Sequence, residues 1–335
     1  MNECRIVSLN MNRQRKSLLQ CIRAQLAQFH IICVQEVGFA TNEEIAGITY
    51  QLQKLSQYKS FWSPATLSEK GGRKGGVGVI LHPLFYENFK DVIMQAEKTS
   101  RHYVRVTCLM EAGNLHIHGI YGPNTVKERE QFYSELDSQY PMEDTHIVLG
   151  DFNEVQDLEL DVARTEKYTM KGMIALKNWL QALGVIDMWR FYNGNAQEFT
   201  SPMKKTGRVK RIDFVAGTQS LVEDTVAQAW HQQDLFIGDH AAVMILLRTE
   251  KVVGKKPPWR MKETTLLQPK IRKNLYKKVQ RFADKVQSYK LVSHGHLIQK
   301  YDKFIQSCIF YIKGMQTCFD NRKKAQRRRF ERAYE

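Results

Sequence analysis

The apolar run Ile147-Val148-Leu149 stops at Gly150 and is followed by Asp151-Phe152-Asn153. A short apolar run bounded by glycine reads as a buried strand. Residues two apart on a strand share a face, so a carboxylate and an amide emerge together where this strand ends. A carboxylate there can hold a proton or a metal, and an amide can donate to a phosphate oxygen. Whether the pair is an ordinary turn or part of a site depends on what other segments bring to it.

Several segments repeat the pattern. Arg5-Ile-Val-Ser-Leu-Asn10-Met-Asn12 reads as a strand ending in two amides, and residues 14–29 carry apolar side chains at helical spacing. Ile31-Ile-Cys-Val34 then runs straight into Gln35-Glu36, which gives a β-α-β start. Residues 43–58 read as an amphipathic helix, and the glycine-rich stretch 71–76 as a hairpin with a basic edge rather than a phosphate loop, because no Lys-Ser/Thr ending or helix follows it. Strand patterns recur at 102–110 and 114–121. His116 and His118 alternate there with Leu115 and Ile117, which places them on the exposed face of a half-buried strand. Helices are expected over 127–139 and over 171–183, the second with Met173, Leu176, Trp179 and Leu180 on one stripe. Phe199-Thr200-Ser201, a basic hairpin over 204–210, Arg211-Ile-Asp213, Gly238-Asp239-His240 and a last strand over 243–247 complete the body. Strands with polar ends, broken by a few helices, specify a layered α/β sandwich. Without a GxGxxG fingerprint, a doubly wound nucleotide-binding fold is the weaker reading.

Charge divides the chain. Of the net +15, residues 251–335 carry 23 Lys and Arg against six Asp and Glu, a net +17, which leaves −2 for the first 250 residues. That asymmetry places a boundary near residue 250, giving a body over 1–248 and a basic helical tail over 249–335, and points to a polyanion partner for the tail. A proline-broken linker, Lys255-Lys-Pro-Pro-Trp-Arg260, leads to helical patterns over 269–290 and 296–319 and a basic block over 322–329. The chain is 43% hydrophobic, has no apolar run of spanning length and starts without a signal-peptide core. Its six cysteines are scattered. Reduced thiols in an intracellular protein, nuclear or else cytoplasmic and without a membrane partner, are the expectation.

Together the strand ends supply what metal-assisted phosphodiester hydrolysis needs. Glu36, helped by Asn10 and Asp239, offers hard oxygens to Mg²⁺, with Mn²⁺ as an alternative. His240 can act as the charged partner of a phosphate or as a base, with Asp213 orienting it. Asp151 is a candidate for activating the attacking water, and Asn153 and Tyr121 can donate to the phosphate oxygens.

The ordered series SLNMN, VQE, GIYGPN, GDFN, RIDF and GDH resembles the endonuclease/exonuclease/phosphatase superfamily, whose members share a four-layered α/β sandwich. Within it, GIYGPN with DMWR, FTS and RIDF looks most like the apurinic-endonuclease-like domain of non-LTR (LINE-type) retrotransposons. The resemblance implies a metal-dependent hydrolase that nicks DNA and leaves a 3′-hydroxyl. It implies that Glu36 binds the metal with Asn10 nearby, that His240 pairs with Asp213, and that Tyr121, Asp151 and Asn153 sit at the scissile phosphate. Asn124, Thr200 and Arg211 would bind substrate. Whether Asp151 serves as base or as leaving-group acid stays open. The sequence departs from the family pattern at Gly238 and Lys210, where serine is usual. With no Asp-Asp pair anywhere, the polymerase metal motif is missing, so the chain is expected to be the endonuclease end of such an element. DNA is the expected partner, with RNA a second one through the tail. An abasic-site repair endonuclease and an inactive nucleic-acid-binding relic are the competing readings.

Overall fold

The computed structural model describes residues 2–69, 71–94, 101–111, 113–163, 169–202, 209–233, 239–248 and 269–288, together with Phe304 and Cys308. They form two compact units, Met1–Gly254 and Lys255–Glu335.

In the first unit the chain runs through β1 (Glu3–Asn10), α1 (Leu18–Cys21), β2 (Ile31–Gln35), α2 (Asn42–Ser56) and β3 (Lys59–Ser63). The small hairpin β4 (Thr66–Leu67) and β5 (Arg73–Lys74) precedes β6 (Val77–Leu81), α3 (Pro83–Tyr86), β7 (Asp91–Met94), β8 (Tyr103–Leu109) and β9 (Asn114–Tyr121). Next come α4 (Val126–Glu135), β10 (Thr145–Asp151), α5 (Lys171–Ala182), β11 (Val185–Asp187) and α6 (Met188–Asn193). The unit closes with β12 (Asp213–Thr218), α7 (Gln219–Thr225), β13 (Val226–Gln232) and β14 (Ala242–Arg248).

Two six-stranded sheets result, ordered β13-β14-β1-β2-β6-β3 and β11-β12-β10-β9-β8-β7. Each has one parallel pair, β1 with β2 and β9 with β10, among antiparallel neighbours. Continuous apolar strands can bury both faces, and β2 shows how. Ile31 and Cys33 enter a core between the sheets, where they join Ile117, Ile147 and Leu149 of the other sheet. Ile32 and Val34 point the opposite way, into a core with Leu18, Ile22, Ile48 and Leu52. On the far side of the second sheet, Ile120, Val148 and Phe214 pack against Leu176, Trp179 and Leu180 of α5. The order is helix, sheet, sheet, helix: the four-layered sandwich.

Two expectations needed revision. Residues 14–29 begin with a 3₁₀ turn at Arg15–Ser17, pass through α1 and end in a π-helical stretch at Ile22–Leu26, so the apolar spacing holds while the regular helix does not. His116 and His118 are buried, not exposed. The helical layer covers that face, and Tyr140 and Trp179 pack on the imidazoles. Among the described residues no helix is long and apolar enough to cross a membrane. In the second unit, α8 (Pro269–Ser288) realises the first tail helix. The expected helix over 296–319, the basic hairpin over 204–210 and Gly238 fall largely or wholly outside the described residues.

Candidate active site

The two parallel pairs bring the carboxyl ends of four strands together. Asn10 pairs with Gln35, the residue before Glu36, in one sheet. Asp151 lies between Tyr121 and Asp213 in the other. The backbone there requires glycine twice. Gly150 has φ +152, and a Cβ on it would meet the Ile120 carbonyl oxygen at 1.9 Å. A Cβ on Gly122 would lie 2.1 Å from the Phe152 carbonyl oxygen. These close approaches let Gly122 N–H donate to Asp151 O at 2.7 Å and let Asn153 Nδ2 donate to Gly122 O at 2.8 Å.

Asp151 is the hub. Its Oδ2 accepts from Asn10 Nδ2 at 2.9 Å, across the two sheets, and its Oδ1 accepts from Asn153 N–H at 2.9 Å. Burial is the largest influence on this carboxyl and the Asp213 charge the next. Against the pull of His240 and the two N–H donors they push it up to about 7. At neutral pH this group can therefore both take and give a proton.

His240 Nδ1 lies 2.9 Å from Asp213 Oδ2, and its Nε2 is 3.8 Å from Asp151 Oδ2. Burial works against the imidazolium, but Asp213 and Asp151, with Asp239 adding its charge, overcome it and push His240 up to about 10. The ring carries both protons at neutral pH, with Nδ1–H spent on Asp213 and Nε2–H too far from Asp151 Oδ2, at 3.8 Å, to be spent there.

Tyr121 donates its hydroxyl to Glu36 Oε1 at 2.7 Å. Burial and the adjacent Glu36 charge raise the phenol, so Tyr121 is a hydrogen-bond donor. His102 holds Tyr121 from behind, with Nδ1 2.6 Å from the Tyr121 carbonyl oxygen and its ring stacked on the phenol. Asn124 is exposed at the rim, its Oδ1 accepting from Asn153 Nδ2 at 3.2 Å.

Thr200 and Arg211 lie behind the site instead of lining it. Thr200 is fully buried, and its Oγ1 accepts from the N–H groups of Ile212 and Asp213, both at 3.0 Å. Its carbonyl accepts from Ala241 N–H at 3.0 Å, so one residue ties down both the Asp213 strand and the His240 loop. Arg211 is buried between Asp161 at 2.8 Å and Asp187 at 2.6 Å, over the ring of Phe214. Asp161 also holds Arg190 at 2.6 Å. Nothing in the local sequence signals this network, because its members lie far apart in the chain.

Ligand atoms of Asp151, Asp213 and His240 all lie within 4.8 Å of one another, close enough to hold an ion. His240 could serve only by losing its proton, since an imidazolium offers no lone pair. Glu36 and Asn10 form the other candidate set. The Glu36 side chain keeps 18% of its surface exposed and offers hard oxygens of the kind Mg²⁺ takes while retaining several waters, whereas the Asn10 Oδ1 is buried, accepts from Asn12 N–H at 2.9 Å and has one lone pair left to add. That donor chemistry fits a divalent cation. Asp239 is half-buried beside His240, where its charge helps keep the ring protonated.

Residues 7–288 match the Endonuclease/Exonuclease/phosphatase family. The chain belongs to that family. Its fold is similar to that of LMAP, an AP endonuclease from Leishmania major, at 12% identity over 74% of this chain and 88% of that one, with a TM-score of 0.58. The catalytic domain of Xenopus laevis APE2 aligns at 16% identity over 73% and 91% of the two chains, with a TM-score of 0.54. The endonuclease domain of TRAS1, a telomere-specific non-LTR retrotransposon, aligns at 16% identity over 74% of this chain and all of that one, with a TM-score of 0.48. At such identities the first two likenesses describe the fold alone.

Proposed function

We propose that this family member is a Mg²⁺-dependent DNA endonuclease of retrotransposon type, which nicks one strand and leaves a 3′-hydroxyl. The observation that carries the reading is the trio Asp151, Asp213 and His240, buried together and flanked by Asn10, Tyr121 and Asn153. It offers a proton-transfer group poised near neutrality, a fixed cation and neutral donors, which are the parts needed to cleave a phosphodiester.

In this mechanism the His240 Nε2–H binds a non-bridging oxygen of the scissile phosphate, while Asp213 keeps the ring oriented and charged. Asp151 moves a proton between itself and the attacking water or the leaving 3′-oxygen. Asn10 and the Asn153 N–H hold its carboxylate in place. Tyr121 and Asn153 would donate to the oxygens on which charge builds up by exchanging the bonds they make without substrate, the phenol leaving Glu36 and the Asn153 amide leaving Asn124. Glu36 with Asn10 would hold the divalent ion, whose charge favours the phosphorane-like transition state. The retrotransposon assignment rests on the sequence motifs GIYGPN, DMWR, FTS and RIDF taken together.

Plasmid nicking tests the reading. The full chain should convert supercoiled to open-circular plasmid with Mg²⁺ and not with EDTA, and Glu36→Ala, Asp151→Ala and His240→Ala should each reduce the rate by about 10²–10⁴-fold. Undiminished nicking by all three variants would assign the activity to a contaminant. An oligonucleotide with one abasic site, cleaved orders of magnitude faster than intact duplex, would replace this reading with a repair endonuclease.

A further inference from the structure

The turn after β1 holds a residue that its backbone does not favour. Gln14 N–H donates to Met11 O at 2.8 Å, which closes a four-residue turn around Asn12 and Arg13. Both central residues have positive φ, 42° and 64°. Such primed turns are dominated by Asn, Asp and Gly, and the second central position usually goes to glycine. Asn12 fits its place and Arg13 does not. The turn is nonetheless fastened to the site, because Arg13 N–H donates to Glu36 O at 2.8 Å.

The side chain returns to the same residue. Arg13 Nε lies 3.6 Å from Glu36 Oε2, well beyond the roughly 2.7–2.9 Å typical of a charge-assisted bond, and 63% of the side chain is exposed. The neighbouring cations are held more tightly. Arg15 and Arg73 share Glu44 at 2.9 and 2.6 Å, and these contacts, with backbone N–H donors, pull that carboxyl down to about 2. Among the described residues Arg13 has no such clamp. Its guanidinium sits loosely at the mouth of the site, beside the Glu36–Tyr121 pair.

We infer that Arg13 is a substrate-positioning residue that binds a backbone phosphate of the nucleic acid next to the bond being cut. A guanidinium presents a planar fork of donors that matches phosphate oxygens. The strained turn places that fork within reach of the site in a way that glycine, the conformationally cheap choice, would not. The inference rests on the phosphodiesterase reading above and names a phosphate-binding group that reading does not use.

The test compares wild type with Arg13→Gly and Arg13→Lys in the full chain. Binding of a fluorescein-labelled duplex of about 20 base pairs is followed by anisotropy over a NaCl series in EDTA, and plasmid nicking is followed with Mg²⁺. Leaving one phosphate without its cation lowers the slope of log K against log[salt] by about 0.9. Arg13→Gly should show that change, bind about tenfold more weakly and raise KM with little change in kcat. Arg13→Lys should keep the slope and lose part of the affinity. Because glycine suits the turn, Arg13→Gly should melt no lower than wild type. An Arg13→Gly variant with wild-type slope and KM would overturn the inference. So would one whose only change is tighter divalent-metal binding, since Arg13 would then be a counter-ion of Glu36. Wild type that neither binds duplex nor nicks plasmid would sink the nuclease reading itself, and this inference with it.

Discussion

Burial acts on Asp151 and His240 in the same physical sense, since it disfavours whichever form is charged, yet the outcomes differ. At Asp151 it wins, aided by Asp213, and the carboxyl rises to about 7. At His240 two carboxylates outweigh it and the ring stays cationic up to about 10. The stability consequence follows by linkage. An aspartate raised from 3.8 to about 7 binds more protons folded than unfolded, so it costs nothing below about pH 4 and exerts its full penalty above about pH 7. Asp151→Asn keeps the shape without the charge. It should melt like wild type near pH 4, melt several degrees higher at about pH 8, and lose about 10²–10⁴-fold in nicking rate. Thermal melts at the two pH values check this, and equal shifts at both would show that the carboxyl is not held against its charge.

At the scale of elements, β9 and β10 carry a second set of buried titratable groups. His116 reaches Asp144 at 2.8 Å and Thr107 at 3.0 Å, while His118 bridges Tyr103 at 2.8 Å and His146 at 3.1 Å. Burial holds His118 far below its usual range and brings His146 down to about 4. A histidine depressed in the folded state binds more protons when unfolded, so its contribution is intact above about pH 6.5 and is lost as pH falls toward about 4. The urea midpoint of wild type should therefore drop more steeply over that window than that of His146→Asn, which can preserve the bond to His118 without the titration. Parallel curves would exclude the cluster as the cause. These imidazoles also show where a local pattern stops being informative. Period-two alternation correctly made 114–121 a strand, and apolar runs with polar ends correctly outlined the sandwich. Which polar face is wet depends on Tyr140 and Trp179, far along the chain, and no local pattern contains that. The same holds at the site: the structure brings Asp151, Asp213 and His240 together, whereas Thr200 and Arg211 carry motif signals yet lie behind it, Thr200 tying down the Asp213 backbone and Arg211 spent on Asp161 and Asp187.

For the whole molecule the decisive contrast is between a body of net −2 and a tail of net +17. Every side chain of the candidate site, from Asn10 to His240, belongs to the unit Met1–Gly254, which has its own cores between and outside its sheets. In the other unit, α8 exposes Arg272, Lys273, Lys277 and Arg281, together with Tyr276. Cations on an exposed helix bind phosphates by releasing counterions, without reading bases. The chemistry and much of the affinity should therefore separate. A chain ending at Gly254 should fold, keep kcat for nicking within a few-fold, and bind duplex far more weakly. Its salt slope should be lower by about 0.9 for each phosphate that the tail no longer neutralises. Its KM should also rise less steeply with salt than that of the full chain, because fewer counterions are released on binding. The family match runs on to residue 288, through α8, and this sets up the opposite outcome. If the shortened chain is unfolded by circular dichroism, the tail helix is part of the catalytic body, and its cations cannot be treated as an added anchor.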